Sequence, residues 1–401
     1  MKGKATGVIL IGFIVLSLLP LPGASGAESG IVILVTDNEA DLAVAKGAAE
    51  LLGAEVVVSP WGTYSPEVSA EILSAAPGMV IIIGGPVALP EDYTGDLKDF
   101  GIPYERWYGE TRYGTNLAVI QGLAREFPEV LRDVSTVVVA NGRDALALRE
   151  YANSITAGTG EKPLLVLTDE GKTNETLEAL SRLTEIRKIR YIATEDDGRP
   201  MFPLNKGAIQ GFVREHFGGN VSVEERTSPP GPRDALIQLA VAENRTTRAE
   251  ELLDGLQIPQ ARERLEKARG LLQKAREAYG AGDYVEAYAL SVRASGEADF
   301  VIARAYSEVR TIYQGSAKIK LQVQLSQLEA MLKVLKARGY DVSEAEELLQ
   351  EARGALERGD YSYLINDLIP MIKEKIAEET VWKGGIPRPP GPPSGRDKGK
   401  P

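Results

Sequence analysis

The chain has 401 residues, no cysteine, one histidine, 43% hydrophobic residues and a formal net charge of -11. The missing cysteines exclude a disulfide scaffold, thiolate-held zinc or iron–sulfur clusters and a cysteine nucleophile, and a lone His216 excludes a His-rich metal centre. The acidic balance argues against nucleic acid as a partner, because such binding rests on Lys and Arg neutralising phosphates.

In chain order, residues 1–27 have the form of an export signal. Lys2 and Lys4 precede an apolar run from Val8 to Leu21, and Ser25 and Ala27 are small residues spaced for cleavage. The run is short for a spanning helix and Pro20 and Pro22 close it, so a secreted or surface-held chain without a membrane span is expected after cleavage. Residues 28–227 alternate β-branched runs with amphipathic stretches. Ile31–Thr36, Glu55–Ser59 and Met79–Ile83 read as buried strands, Pro103–Trp107 as a weaker one, and Asp41–Leu52 and Pro66–Ala76 as helices. The pattern then recurs. Thr136–Ala140, Pro163–Leu167, Ile189–Ala193 and Val221–Arg226 read as strands, and Thr115–Phe127, Arg149–Thr156, Glu175–Leu183 and Asn205–Phe217 as helices. This predicts an α/β head of two repeated parallel-sheet units, about 28–110 and 111–227.

Ser228-Pro229-Pro230-Gly231-Pro232 marks a linker, after which only helical period remains. Residues 233–382 are expected to form an all-α bundle of antiparallel hairpins. Ala261, Leu265, Ala268, Leu272 and Ala275 step by fours and threes, as do Leu321, Leu325, Leu328, Leu332 and Leu335. Such seams suit coiled-coil-like pairing, within one chain or in a homo-oligomer, and cast this half as a spacer or oligomerisation element. Ala287, Ser291, Ala294, Ala298, Val301 and Ala305 make a small-residue seam. Leu271–Tyr284 echoes Leu348–Tyr361, both ending Gly-Asp-Tyr, which places a C′ glycine and an aspartate cap at each corner. Asp283–Arg338 has no proline, and Gly315-Ser316 is the place for a break. The stretch 383–401 reads as a disordered Pro-rich tail.

Charge divides the same way. Residues 31–228 hold 18 Lys and Arg against 30 Asp and Glu, a net of -12, whereas 229–401 hold 26 of each. Arg182, Arg187, Lys188 and Arg190 form a basic cluster best read as a solvated helix end. Glu195-Asp196-Asp197-Gly198 reads as an acidic turn rather than a calcium loop, and His216 as a helix-terminal residue. Three sequons, beginning at Asn174, Asn220 and Asn244, are acceptor sites for glycosylation in an exported protein.

The stretch Val80–Val119 reads VIIIGGPVALPEDYTGDLKDFGIPYERWYGETRYGTNLAV. It resembles the cell-wall-binding repeat type 2 family, in which a strand ends in Gly-Gly and Gly-x-Asp-Arg-Tyr-x-Thr-Ala later opens a helix. Gly84, Gly85, Gly109, Arg112, Tyr113 and Thr115 stand at matching positions, with Thr111 where the family carries Asp and Asn116 where it carries Ala. Asn141-Gly142, Asp144-Ala145-Leu146 and Pro163–Thr168 match the elements that follow. The resemblance covers residues 31–227, as two modules where the family has three. It implies a non-catalytic surface protein that binds an envelope polysaccharide or a surface protein, without cofactor, metal or catalytic residues. The candidate ligand-binding residues are Gly84, Gly85, Arg106, Arg112, Tyr113, Asn141 and Asp144. An alternative is an extracellular solute receptor, closing on a ligand in a cleft between the two units lined by Trp61, Trp107 and Tyr108. A glycan hydrolase would need two carboxylates facing each other at roughly 5–9.5 Å, and no catalytic constellation reads out of the sequence.

Overall fold

The structure, a computed structural model, describes residues 30–156, 162–218, 220–314 and 317–383. The expected export signal, Gly315-Ser316 and the Pro-rich tail from Gly384 lie outside the described residues.

Strands β1 (Ile31–Thr36), β2 (Glu55–Ser59), β3 (Met79–Ile83) and β4 (Tyr104–Trp107) make a parallel sheet in the order β2-β1-β3-β4. Helices α1 (Glu39–Leu52), α2 (Pro66–Ala75) and α3 (Asp92–Asp99) connect them. The second unit holds α4 (Arg112–Glu126), α5 (Pro128–Arg132), β5 (Thr136–Asn141), α6 (Ala145–Thr156), β6 (Leu164–Thr168), α7 (Thr173–Ser181), β7 (Lys188–Asp196), β8 (Arg199–Pro200), α8 (Lys206–Phe217) and β9 (Ser222–Ser228). Its parallel strands run β6-β5-β7-β9, the same order as in the first unit. The repeat is therefore one of topology as well as pattern. The short helices α3 and α5 escape sequence reading, because α3 buries only Tyr93, Thr94 and Leu97 and α5 only Leu131. The acidic stretch is a hairpin turn between β7 and β8, with Asp197 and Gly198 both at positive φ.

One apolar core joins the two units. It runs from Ile31, Ile33 and Val35 on one face of the first sheet, through α1, α4 and α6, to Val137–Ala140 and Leu164–Leu167 of the second. The cleft required by the receptor reading is therefore filled. Trp107 is buried in this core, Trp61 packs against helices of the C-terminal half, and Tyr108 points outward.

The helical half divides in two. The first set, α9 (Pro232–Leu253), α10 (Pro259–Gly280) and α11 (Tyr284–Gln314), pack on one another. The second set is α12 (Ala317–Ala337), α13 (Ser343–Arg358), α14 (Tyr361–Tyr363) and α15 (Ile369–Ala377), the last two continued by π-helical turns at Leu364–Leu368 and Glu378–Trp382. The echoed corners behave alike at their glycines, Gly282 and Gly359 both taking left-handed φ, while only Asp283 caps through its side chain, to Glu286 N–H at 3.0 Å. All the seam residues named above are buried inside this one chain.

The spacer expected from these helices is instead a pair of covers. The second set lies over α2 and α3: Leu321, Leu325, Leu328 and Leu332 share one core with Val68, Ile72, Leu73, Leu97 and the outer face of the first sheet. Tyr340 donates to the Ser74 carbonyl at 2.8 Å and Arg338 pairs with Glu71 at 3.3 Å. The first set sits over the carboxyl ends of β1 and β2. There Arg245 reaches Asp37 and Glu39, Arg248 reaches Thr63, and Ile302 packs on Gly62. The reason is geometric. The leucine face of α12 is buried against α2 and the first sheet as well as against its own neighbours.

Beneath α2, Asp96 accepts hydrogen bonds from Tyr64 Oη at 2.6 Å and Ser69 Oγ at 2.7 Å. Burial pushes its carboxyl up to about 6, against these bonds and the Lys373 charge. A carboxyl raised in the fold favours the folded state when protonated, so its contribution is full below the unfolded value and is lost as pH rises through about 6. Asp96→Asn is expected to flatten the fall in stability between about pH 4 and 6, the span from the ordinary carboxyl value to the raised one. Urea titrations across that window check it; an unchanged slope would contradict the assignment.

Candidate functional site

The first turn of α4 is built around Thr111, whose Oγ1 accepts from Gly114 N–H at 3.2 Å as an N-cap. Thr115 Oγ1 accepts from Gly109 N–H at 3.2 Å, tying the exit of β4 to the helix it leads into. This turn and the loops after β5 and β6 surround an open pocket of about 500 Å³. Its lining includes Glu110, Arg112, Tyr113, Arg143, Asp169 and Lys172. It lies where parallel α/β sheets place ligands, outside the carboxyl ends of strands.

Arg112, Tyr113, Asp169 and Lys172 are each held by a contact. Arg112 donates from Nη1 to the Gly142 carbonyl at 2.6 Å. Tyr113 Oη donates to Asp169 Oδ2 at 3.0 Å and to Asn141 Oδ1 at 3.4 Å. Burial and the adjoining Asp169 push the Tyr113 hydroxyl up to about 12, so it stays a donor. Burial acts to raise Asp169, but hydrogen bonds from Gly171 N–H and Tyr113 and the Arg143 charge outweigh it and hold the carboxylate below its ordinary value. Lys172 pairs with Glu175 at 3.3 Å across one helical turn. Three cationic side chains thus meet two carboxylates in a domain whose overall charge is strongly negative.

Of the candidate ligand residues, Arg112 and Tyr113 line the pocket and Asn141 lies directly behind it. Asn141 is committed on both sides, its Oδ1 accepting from Arg143 N–H at 2.9 Å and its Nδ2 donating to the Pro203 carbonyl at 2.8 Å. Asp144 is not open to a ligand. It is fully buried, with Thr194 N–H at 2.7 Å and Ala147 N–H at 3.1 Å donating to it and Tyr288 of α11 at 3.4 Å. Burial pushes its pKa up against those bonds. Arg106 is likewise turned inward, donating to the carbonyls of Gly84 and Leu89 at 3.0 Å each. It fastens the loop after β3, and Gly84 serves as its acceptor.

Arg143, Lys172, Glu110 and Asp169 carry no sequence signal, being single polar residues that the pairing of β5 with β6 and the packing of α4 beside them bring together. Asn116, the departure at the start of α4, has a structural role. Its amide donates to the Leu165 carbonyl and accepts from Leu167 N–H, both at 2.9 Å, completing the free edge of β6 as a neighbouring strand would. The basic cluster is ion-paired, Arg182 to Glu178, Arg187 to Glu185, and Lys188 and Arg190 to Glu224. His216 stacks on Phe212 and contacts its carbonyl at 2.9 Å at the end of α8. Asn174, Asn220 and Asn244 are all exposed, while the hydroxyls of Thr176 and Thr246 are buried in bonds to backbone carbonyls.

Among the described residues no helix is long and apolar enough to cross a membrane. No protein-family model matches the chain. The uncharacterized protein MJ0755 of Methanocaldococcus jannaschii is 36% identical over 185 residues, 46% of this chain and 52% of that protein. The chain thus spans about half the length of the curated relative it matches. Among solved structures, Cwp6 from Clostridium difficile superposes with a TM-score of 0.39 at 19% identity, covering 51% of this chain and 30% of that one. A likeness that loose fixes neither fold nor ligand. What the chain itself establishes is a repeated parallel α/β head, capped on two sides by its own helices, with a pocket lined by Arg112, Arg143 and Lys172 at the start of α4.

Proposed function

We propose that this chain is a non-catalytic, exported recognition protein of the cell surface, whose head binds an acidic envelope polymer at the pocket before α4. The convergence of Arg112, Arg143 and Lys172 on one open cavity carries the reading. A local basic site in an acidic domain admits a ligand with sparse negative charge and repels a densely charged polyanion. The helices act as covers that hold the head rigid.

The test is sedimentation of the intact chain with isolated cell envelopes, comparing wild type with Arg143→Glu/Lys172→Glu. Arg143 lies in an exposed turn, and Lys172 ends a single 3-10 turn and pairs with Glu175. The wild type is expected to sediment and to be released by salt, since screening weakens exposed charge contacts. The double reversal is expected to stay in solution. Equal sedimentation of the two would remove the pocket as the site.

A further inference from the structure

We propose that the outer edge of β9 pairs with the same strand of a second copy of this chain, antiparallel and centred on Glu225. The surface is the backbone edge of the second sheet, away from the pocket and from the helical seams.

In the order of the second sheet β9 takes the place that β4 has in the first. β4 has 4 residues, none of them exposed, whereas β9 has 7 and all but Glu224 are exposed. β9 runs beside β7 in unbroken parallel register, from Lys188 opposite Ser222 to Thr194 opposite Ser228. Ser222 N–H donates to the Arg187 carbonyl at 2.9 Å. Alternate residues of a parallel strand bond to the same neighbour, so Ser222, Glu224, Arg226 and Ser228 bond toward β7. The N–H and C=O groups of Val223, Glu225 and Thr227 point the other way. Among the described residues no strand pairs with β9 on that side. The opposite edge of this sheet, β6, is already closed by the Asn116 amide.

Charges along an edge strand commonly discourage pairing; here their order selects one register with a second copy. Centring two antiparallel copies on Glu225 sets Val223 opposite Thr227 of the second copy and Glu225 opposite its own counterpart. Every outward N–H then meets an outward carbonyl about a two-fold axis. Between these bonds Glu224 faces the second copy's Arg226, and Arg226 faces its Glu224, at the close positions with Cα atoms about 4.5 Å apart. Centring on Glu224 or on Arg226 would instead bring like charges together there. Each Glu225 meets its counterpart already paired, since Lys206 donates to it at 2.7 Å. Within one copy Glu224 also pairs with Arg190 at 2.9 Å and Arg226 at 2.7 Å. The backbone bonds therefore supply the attraction and the charges fix the register.

Sedimentation equilibrium of the intact protein over a dilution series is expected to show a reversible dimer. Glu225→Pro removes an outward donor and leaves the ladder to β7 intact, and is expected to weaken the dimer about tenfold or more. A thermal melt verifies that the variant is folded. The chain has no cysteine, so introduced thiols report position without background. Glu225→Cys places two Cα atoms about 5.5 Å apart, within reach of a disulfide, and is expected to give a covalent dimer on mild oxidation. Thr227→Cys alone, with its two copies about 13 Å apart across the axis, is expected to give none. Thr227→Cys mixed with Val223→Cys is expected to cross-link. A wild type that stays monomeric at every concentration, or a dimer that a folded Glu225→Pro leaves unchanged, would overturn the inference. Equal cross-linking by Glu225→Cys and Thr227→Cys would do the same, and the cysteine result stands even where the proline variant fails to fold.

Discussion

Arg245→Ala is expected to lower the unfolding free energy by about 3–5 kcal/mol, because it leaves buried carboxylates without their cation. Arg245 lies on α9 with its side chain 9% exposed. Its guanidinium donates to Asp299 Oδ2 at 3.1 Å on α11, and to Glu39 Oε2 and the Asp37 carbonyl, each at 3.2 Å, where β1 passes into α1. One side chain thus ties the first helical set to the head. Burial alone would raise Glu39, but the Arg245 charge together with hydrogen bonds and the Arg149 charge outweighs it and keeps that carboxylate below its ordinary value. Asp299 is pushed up to about 6 by burial, with Arg245 opposing. Removing the cation takes away the largest opposition to both costs. Replacing the whole group, Arg245→Met with Glu39→Gln and Asp299→Leu, is expected to recover most of the loss, since apolar packing of similar volume often matches a buried ion pair. Urea unfolding of the single and triple variants measures both. A single variant within about 1 kcal/mol of wild type would mean that water already reaches the cluster.

The second large effect concerns the covering helices. A fragment limited to residues 30–228 is expected to lose cooperative unfolding and to aggregate. Val68, Ile72, Leu73 and Leu97 are buried in one core with Leu321, Leu325, Leu328 and Leu332, and the fragment turns that face toward water. In the intact chain, Leu332→Ala should cost about 2–5 kcal/mol, the range for emptying a well-packed leucine site. A matched substitution at an exposed position of the same helix, Lys333→Ala, should cost less than about 0.5 kcal/mol. Thermal and urea unfolding of these variants distinguish a cover from a spacer. A cooperative, soluble 30–228 fragment, or a silent Leu332→Ala, would restore the spacer.

The central strands were legible because β1, β5 and β6 are buried on both faces, so IVILVT and TVVVA stand out as unbroken apolar runs. The repeat was legible because both units use the same order of runs and helices. The motif before α4 was legible too, since capping threonines and close-packed glycines leave a local pattern. Other features gave no such signal. Arg106 looks like a ligand contact in sequence and proves to be a fastener, because the carbonyls it meets belong to a loop distant in the chain. Arg143 and Lys172 look like ordinary surface residues and become part of a pocket wall.

The sequence alone thus settled the main strands and longer helices of the head and their order, the duplication, the helical character of the second half, and the uneven charge of the two halves. Periodicity and composition are local, and local sterics and burial suffice to read them. Which surfaces the helices cover, which charges share a buried site and where the pocket opens were decided only in three dimensions. A 4-3 seam states that a helix face is buried without stating against what. The seam of α12 met α2 of the head, and the arginines of α9 met the carboxyl end of β1. Partner choice is set by contacts between distant segments, and no window along the chain contains both sides of such a contact.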